Sequence, residues 1–276
     1  MKETAVVPWR EFDAFLLDLD GVVYLGGAAI PGAAETVAAL RAAGKALRFL
    51  TNDPRFSVAE LAAKLRGLGI AADADEIFPS GRVLARHLEE ADLGGRTAYV
   101  VGTAALKEEM AAAGLQLLEG EAARHAEVVV VGGHNSLGYQ EVRLAAQAVR
   151  NGAAFYATGR DATFPMPDGP WPATGAMLAA VEVASGKRAV VAGKPEPLMF
   201  EVACRDFADR RKVAVVGDTL ESDIVGGKKV GCVTILVLSG STKPEDLAAS
   251  PVKPDYVLPS LAALVSGGGS GPSAMR

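Results

Sequence analysis

A chain of 276 residues is long for one compact core and comfortable for two domains. Half of its residues are hydrophobic and 22% are charged, a balance that excludes extended disorder outside the ends. The net charge is −5 and the basic residues are scattered, which argues against nucleic acid or an anionic membrane as the main partner.

The opening MKETAVVPWREFD lacks the apolar core of a signal peptide. No later run approaches the roughly 20 apolar residues of a membrane-spanning helix. FDAFLLDLD, from Phe12 to Asp20, is a continuous apolar strand of the kind buried on both faces of a parallel sheet. PGAAETVAALRAAGK follows as a helix with Pro31 at its start and Gly44 at its stop. ALRFLTND is a second strand, and Ser57 and Glu60 are spaced as the capping box of the next helix. This β-α-β-α order implies an α/β fold with a parallel sheet.

The alternation resumes after residue 95 with the strands TAYVV, AEVVVVGGH and AAFYATG and a helix over Tyr139 to Asn151. An irregular stretch rich in proline and glycine, RDATFPMPDGPWPATG, precedes the helix AMLAAVEVASG. RAVVAGKPEP, KVAVVGDTLESD and CVTILVLSG close the series, and SGGGSGPSAMR reads as a flexible tail. About eight strands are many for one small sheet, so two α/β units are expected. The two cysteines, Cys204 and Cys232, form no C-x-x-C, which fits a reducing cytoplasm.

Polar residues gather at the ends of four predicted strands. Asp18 and Asp20 follow AFLL, Thr51 and Asn52 follow LRFL, Lys194 follows AVVAG, and Asp218 and Asp223 follow VAVVG. Ligands of an open parallel sheet bind at the C-terminal strand ends, so the four stations are expected along one edge. Carboxylates crowded together cannot all ionise without a compensating charge. A hard cation that prefers oxygen, Mg2+ above all, supplies that charge and bridges to phosphate. Lys194 adds positive charge, and Thr51 and Asn52 can donate hydrogen bonds to phosphoryl oxygens. A neutralised carboxylate can then attack phosphorus, while a second acid two residues away moves the protons.

At these residues the chain resembles the haloacid dehalogenase (HAD) superfamily. Its four motifs stand in order as Asp18-Leu19-Asp20-Gly21, Thr51, Lys194-Pro195, and Gly217-Asp218 through Asp223. DGVVYLGG, FLTNDPRFS, VVAGKP and ILVLSG look like the NagD and p-nitrophenylphosphatase subclass, to which phosphoglycolate phosphatases also belong. That subclass inserts a large α/β cap of the C2 type between motifs two and three, and Lys194 comes 142 positions after Asn52. The resemblance implies a Rossmann-like parallel-sheet core in two pieces, residues 1–80 and 187–265, a cap over 81–186, and a tail over 266–276. It implies Asp18 as nucleophile and Mg2+ ligand, and Asp20 as general acid/base with its backbone carbonyl on the metal. Asp218 completes the protein's metal ligands, and Asp223 supports the site directly or through water. Thr51, Asn52 and Lys194 hold the phosphoryl group.

The implied activity is a Mg2+-dependent phosphomonoesterase acting on a small phosphorylated metabolite, with a homodimer allowed. Phosphotransferase or phosphomutase chemistry and a non-catalytic phosphate-ligand binding protein are the alternatives. The large cap disfavours the mutase, and the intact motifs disfavour the binding protein. Specificity is expected from the cap, with His134, Asn135, Arg160 and Trp171 as candidates. Arg160 either reads a second anionic group or pairs with an acid inside the cap, the latter favoured. Trp171 is expected to pack rather than to stack on a ligand ring. Asp223 is read either as a site residue or as a helix cap, and Asp53 as the cap of the turn before Pro54.

Overall fold

The computed structural model describes residues 6–133, 136–164 and 168–266. Contacts divide the chain into two compact units. One takes its residues from the chain up to and including Leu50, from Leu61–Ile77 and from Ala203 onward; the other is built from Thr51–Glu60 and Phe78–Val202.

The first unit is organised on a six-stranded sheet. Its strands lie in the order Tyr256–Leu258, Val233–Val237, Val213–Gly217, Ala14–Asp18, Ala46–Thr51 and Ile77–Pro79. The pairs from Tyr256–Leu258 across to Ala46–Thr51 are all parallel. Every residue of Ala14–Asp18 and of Val213–Gly217 is buried, as expected of strands covered on both faces. Each fully buried large side chain, such as Phe15 or Phe49, contributes about 1.5–3 kcal/mol through the hydrophobic effect. The sequence order runs outward in opposite directions from the adjacent strands Ala14–Asp18 and Val213–Gly217. That reversal is a topological switch point, where the crossovers leave a crevice at the carboxyl ends of the strands.

The second unit carries a five-stranded parallel sheet in the order Val190–Val191, Ala154–Ala157, Val128–Val131, Thr97–Val101 and Gln116–Leu117. Its core joins the valines of the central strands to Leu144, Ala148, Leu178 and Val181 from the helices Tyr139–Arg150 and Thr174–Ser185. The irregular stretch contains a short antiparallel pair, Thr163–Phe164 with Trp171–Pro172. Val190–Val191 belongs to this sheet, which therefore reaches past residue 186, the expected end of the inserted segment.

The helix Val58–Gly67 starts as its capping box predicts: the Ser57 N–H and hydroxyl both donate to Glu60 at 2.8 Å, and the Glu60 N–H returns a 3.3 Å bond. No helix among the described residues is long and apolar enough to cross a membrane. The expected tail, apart from Ser266, lies outside the described residues.

Candidate active site

In the first unit, Asp18 ends its strand and Asp218 directly follows Val213–Gly217, on the two sides of the switch point. Asp223 lies in the turn Leu220–Ile224. The three carboxylates are 8%, 4% and 1% exposed, and each offers an oxygen within 4.8 Å of the others. Neutral donors hold two of them in place. Asp218 Oδ2 accepts the Ser241 N–H at 2.6 Å and its Oδ1 accepts the Thr219 hydroxyl at 3.1 Å. Asp223 Oδ2 accepts the Thr219 N–H at 3.1 Å. Asp223 thus sits inside its turn with the site's other acids, rather than as the N-cap of the helix Val225–Lys229.

Three buried carboxylates so close repel one another. An all-oxygen donor set of this kind suits a small hard divalent cation.

Glycines make the cluster sterically feasible, and two of them lie on the strand-end segments that carry the acids. Gly21 has φ of +79° in the tight turn that brings its N–H to the Tyr24 carbonyl at 2.7 Å, and a Cβ there would lie 2.5 Å from Asp218 Oδ2. A Cβ on Gly217 would meet the Asp223 Cβ at 2.2 Å. Asp20, between Asp18 and this turn, is exposed.

In the second unit, Thr51 is 4% exposed and its hydroxyl accepts the Asp53 N–H at 3.1 Å. Asn52 and Lys194 meet through a two-point contact. The Asn52 amide donates to the Lys194 carbonyl at 2.9 Å, and the Lys194 N–H donates to Asn52 Oδ1 at 2.8 Å. Lys194 itself is 4% exposed. Its strand, Val190–Val191, pairs with Ala154–Ala157, so Lys194 does not follow a strand of the six-stranded sheet as a single shared edge had implied. The apolar run before Lys194 would suit either sheet, and nothing local in it selects one. Asp53 caps its turn, accepting the Arg55 N–H at 3.0 Å and the guanidinium at 2.8 and 2.7 Å.

Among the expected specificity residues, Arg160 donates to both oxygens of Glu182 at 2.9 and 2.8 Å. Glu182 is 7% exposed and also receives Arg188 at 2.6 Å and the Ala189 N–H at 3.1 Å. Above all the Arg160 guanidinium, helped by these other donors, holds its carboxyl well below the usual range, at about 2. Trp171 donates its indole N–H to Asp168 at 2.8 Å and meets Phe164 edge to face at 6.3 Å. Arg55 lies over the Phe164 ring at 4.4 Å. His134 and Asn135 lie outside the described residues.

Sequence reasoning missed Glu182 and Asp161, the latter accepting the second Asn52 N–H at 2.9 Å. Glu182 had a signal: it is the sole acid in the otherwise apolar helix TGAMLAAVEVAS, where an acid must find a partner. Asp161 had none.

Residues 15–116 match the family model described as haloacid dehalogenase-like hydrolase, and residues 191–264 match that of HAD-hydrolase-like proteins. The chain is 35% identical over 253 residues to an acid sugar phosphatase of Staphylococcus saprophyticus, covering 91% of this chain and 96% of the relative. A p-nitrophenyl phosphatase from Archaeoglobus fulgidus superposes with a TM-score of 0.87 at 32% identity, over 92% of this chain and 98% of that one. A glycerol phosphate phosphatase from Mycobacterium tuberculosis, solved in complex with magnesium, gives a TM-score of 0.85 at 33% identity, over 95% and 78%. With both halves of the split six-stranded sheet matched, and a relative 35% identical over 91% of the chain, the chain belongs to the haloacid dehalogenase-like hydrolase family.

Proposed function

We propose that this protein is a divalent-metal-dependent phosphomonoesterase that hydrolyses a small phosphorylated metabolite through an aspartyl-phosphate on Asp18. The observation that carries the reading is the cluster of Asp18, Asp218 and Asp223, three buried carboxylates at the switch point of a parallel sheet. The names of the relatives, a sugar phosphatase and phosphatases of p-nitrophenyl and glycerol phosphate, support the phosphoester class.

Asp18 and Asp218 would hold Mg2+, with the Asp20 backbone carbonyl as a further oxygen and Asp223 in support directly or through water. When bound, the cation neutralises the carboxylates and the phosphoryl oxygens. Lys194 and Thr51 would hold the phosphoryl group by charge and hydroxyl donation. An Asp18 oxygen attacks phosphorus as the bond to the leaving oxygen breaks, and Asp20 gives that oxygen its proton. Asp20, now a carboxylate, takes a proton from water as the water attacks phosphorus. Phosphate leaves and Asp18 is regenerated. The exposure of Asp20 suits a group that exchanges protons with substrate and water.

Two finer points are part of the reading. One is a reducing, cytoplasmic setting, in keeping with only two cysteines, Cys204 and Cys232, and no C-x-x-C. The other is assembly as a homodimer. Purified protein with Mg2+ and a panel of phosphate esters, read as free phosphate, tests the activity. Release from at least one small ester, dependent on Asp18, is expected; no release from any ester would overturn the proposal.

A further inference from the structure

We infer that Asn52 is a positioning residue whose side chain seats the backbone of Lys194, and that it does not itself grip the phosphoryl group. The inference rests on the phosphatase reading, in which Lys194 is a phosphoryl ligand.

A primary amide has two N–H donors and one carbonyl oxygen. Both donors of Asn52 are used, one on the Lys194 carbonyl and one on Asp161 Oδ2, each at 2.9 Å. Its oxygen takes the Lys194 N–H at 2.8 Å. The orientation of the amide is fixed by chemistry, because only Oδ1 can accept that N–H and only Nδ2 can serve the carbonyl. No side-chain donor is left for a phosphoryl oxygen, and the remaining lone pair on Oδ1 would repel one.

Engaging the N–H and the C=O of one residue together imitates a neighbouring strand. It sets the tilt of the Lys194 backbone and hence the direction in which its Cα–Cβ bond leaves. A lysine stem has four rotatable bonds and a point charge at its end, so its aim depends on where the stem starts. The seat has little slack. A Cβ on Gly193 would lie 2.8 Å from Asn52 Oδ1 and 2.5 Å from the Thr158 carbonyl. The Asn52 carbonyl accepts the hydroxyl of the fully buried Ser80 at 2.9 Å. Asn52 therefore ties together four segments of the second unit, those carrying residues 52, 80, 161 and 194.

A double-mutant cycle on kcat/KM for p-nitrophenyl phosphate with Mg2+ tests this. Asn52→Ala is expected to lower kcat/KM by about 10–100-fold through misplacement of the lysine. Lys194→Met is expected to lower it further, and the double variant should match Lys194→Met within about threefold, because a misaimed lysine that is absent has no further effect. If the double variant falls by the product of the two single effects, Asn52 acts on its own and the inference is overturned. Destabilisation also multiplies, so melting curves are taken for every variant. Should Asn52→Ala fail to fold, the isosteric Asn52→Asp takes its place in the cycle, with the same two outcomes. A Lys194→Met variant of undiminished rate would instead sink the phosphoryl-ligand role of the lysine, a failure of the reading beneath.

Discussion

Arg160 and Glu182 form a two-point ion pair in which a 7% exposed carboxylate receives both terminal nitrogens of the guanidinium. Of the two roles the sequence left to Arg160, the favoured one, pairing with an acid, is the one seen, and it commits the arginine to holding the helix Thr174–Ser185 against the loop after Ala154–Ala157. Arg160→Ala is expected to cost about 1–3 kcal/mol of stability, less than a wholly isolated buried pair because Arg188 and the Ala189 N–H remain on the acid. Chemical denaturation measures it, and an unchanged midpoint would assign the arginine elsewhere.

The same pair sets a pH dependence. The Glu182 carboxyl is lowered from 4.5 to about 2, so its contribution is fully present above about 4.5 and is lost as pH falls through about 2. Wild type and Glu182→Gln should therefore differ most in stability at neutral pH and converge as the solution is acidified below pH 4. Parallel denaturation curves that stay equally far apart from pH 7 to pH 2 would contradict the assignment.

Chelation should stop phosphate release, and Mg2+ should restore it. Ca2+, with its larger and looser shell, should restore it poorly. Binding can be followed without turnover: saturating Mg2+ at about 100 times its Kd should raise stability by about 2.7 kcal/mol in wild type and much less in Asp218→Asn. Full activity in metal-free buffer refutes the metal's role.

The two opening aspartates should separate kinetically. Asp18→Asn removes the nucleophile and should leave essentially no turnover. Asp20→Asn should slow both proton transfers, by roughly 10²–10⁴-fold, and should trap phosphate on Asp18 when p-nitrophenyl phosphate supplies a good leaving group. Label on any other residue defeats the assigned roles.

Much of this was legible in the residues. The two-sided burial of Ala14–Asp18 and Val213–Gly217 follows from their unbroken apolar runs, and both predicted strands carry their aspartates to the switch point. What stayed hidden depends on distant partners. Asn52 meets Asp161 across 109 positions and Lys194 across 142, and no local pattern encodes either meeting. Short runs such as Val190–Val191 are equally mute about which sheet they join. Asn52 therefore looked like a phosphoryl donor, because an amide beside a strand-end hydroxyl can be one, and only its partners show how its hydrogens are spent.

Gly21 and Gly217 touch no substrate in any of these steps, and an alanine scan, which leaves glycines out or treats them as neutral, would draw the boundary of the site without them. Yet each stands where one added methyl would overlap an acid, Asp218 in the first case and Asp223 in the second. The sensitivity of this centre to inherited change is thus wider than its set of chemical groups. Two of its most vulnerable positions carry no functional group at all, and the smallest possible side chain is enough to disable them.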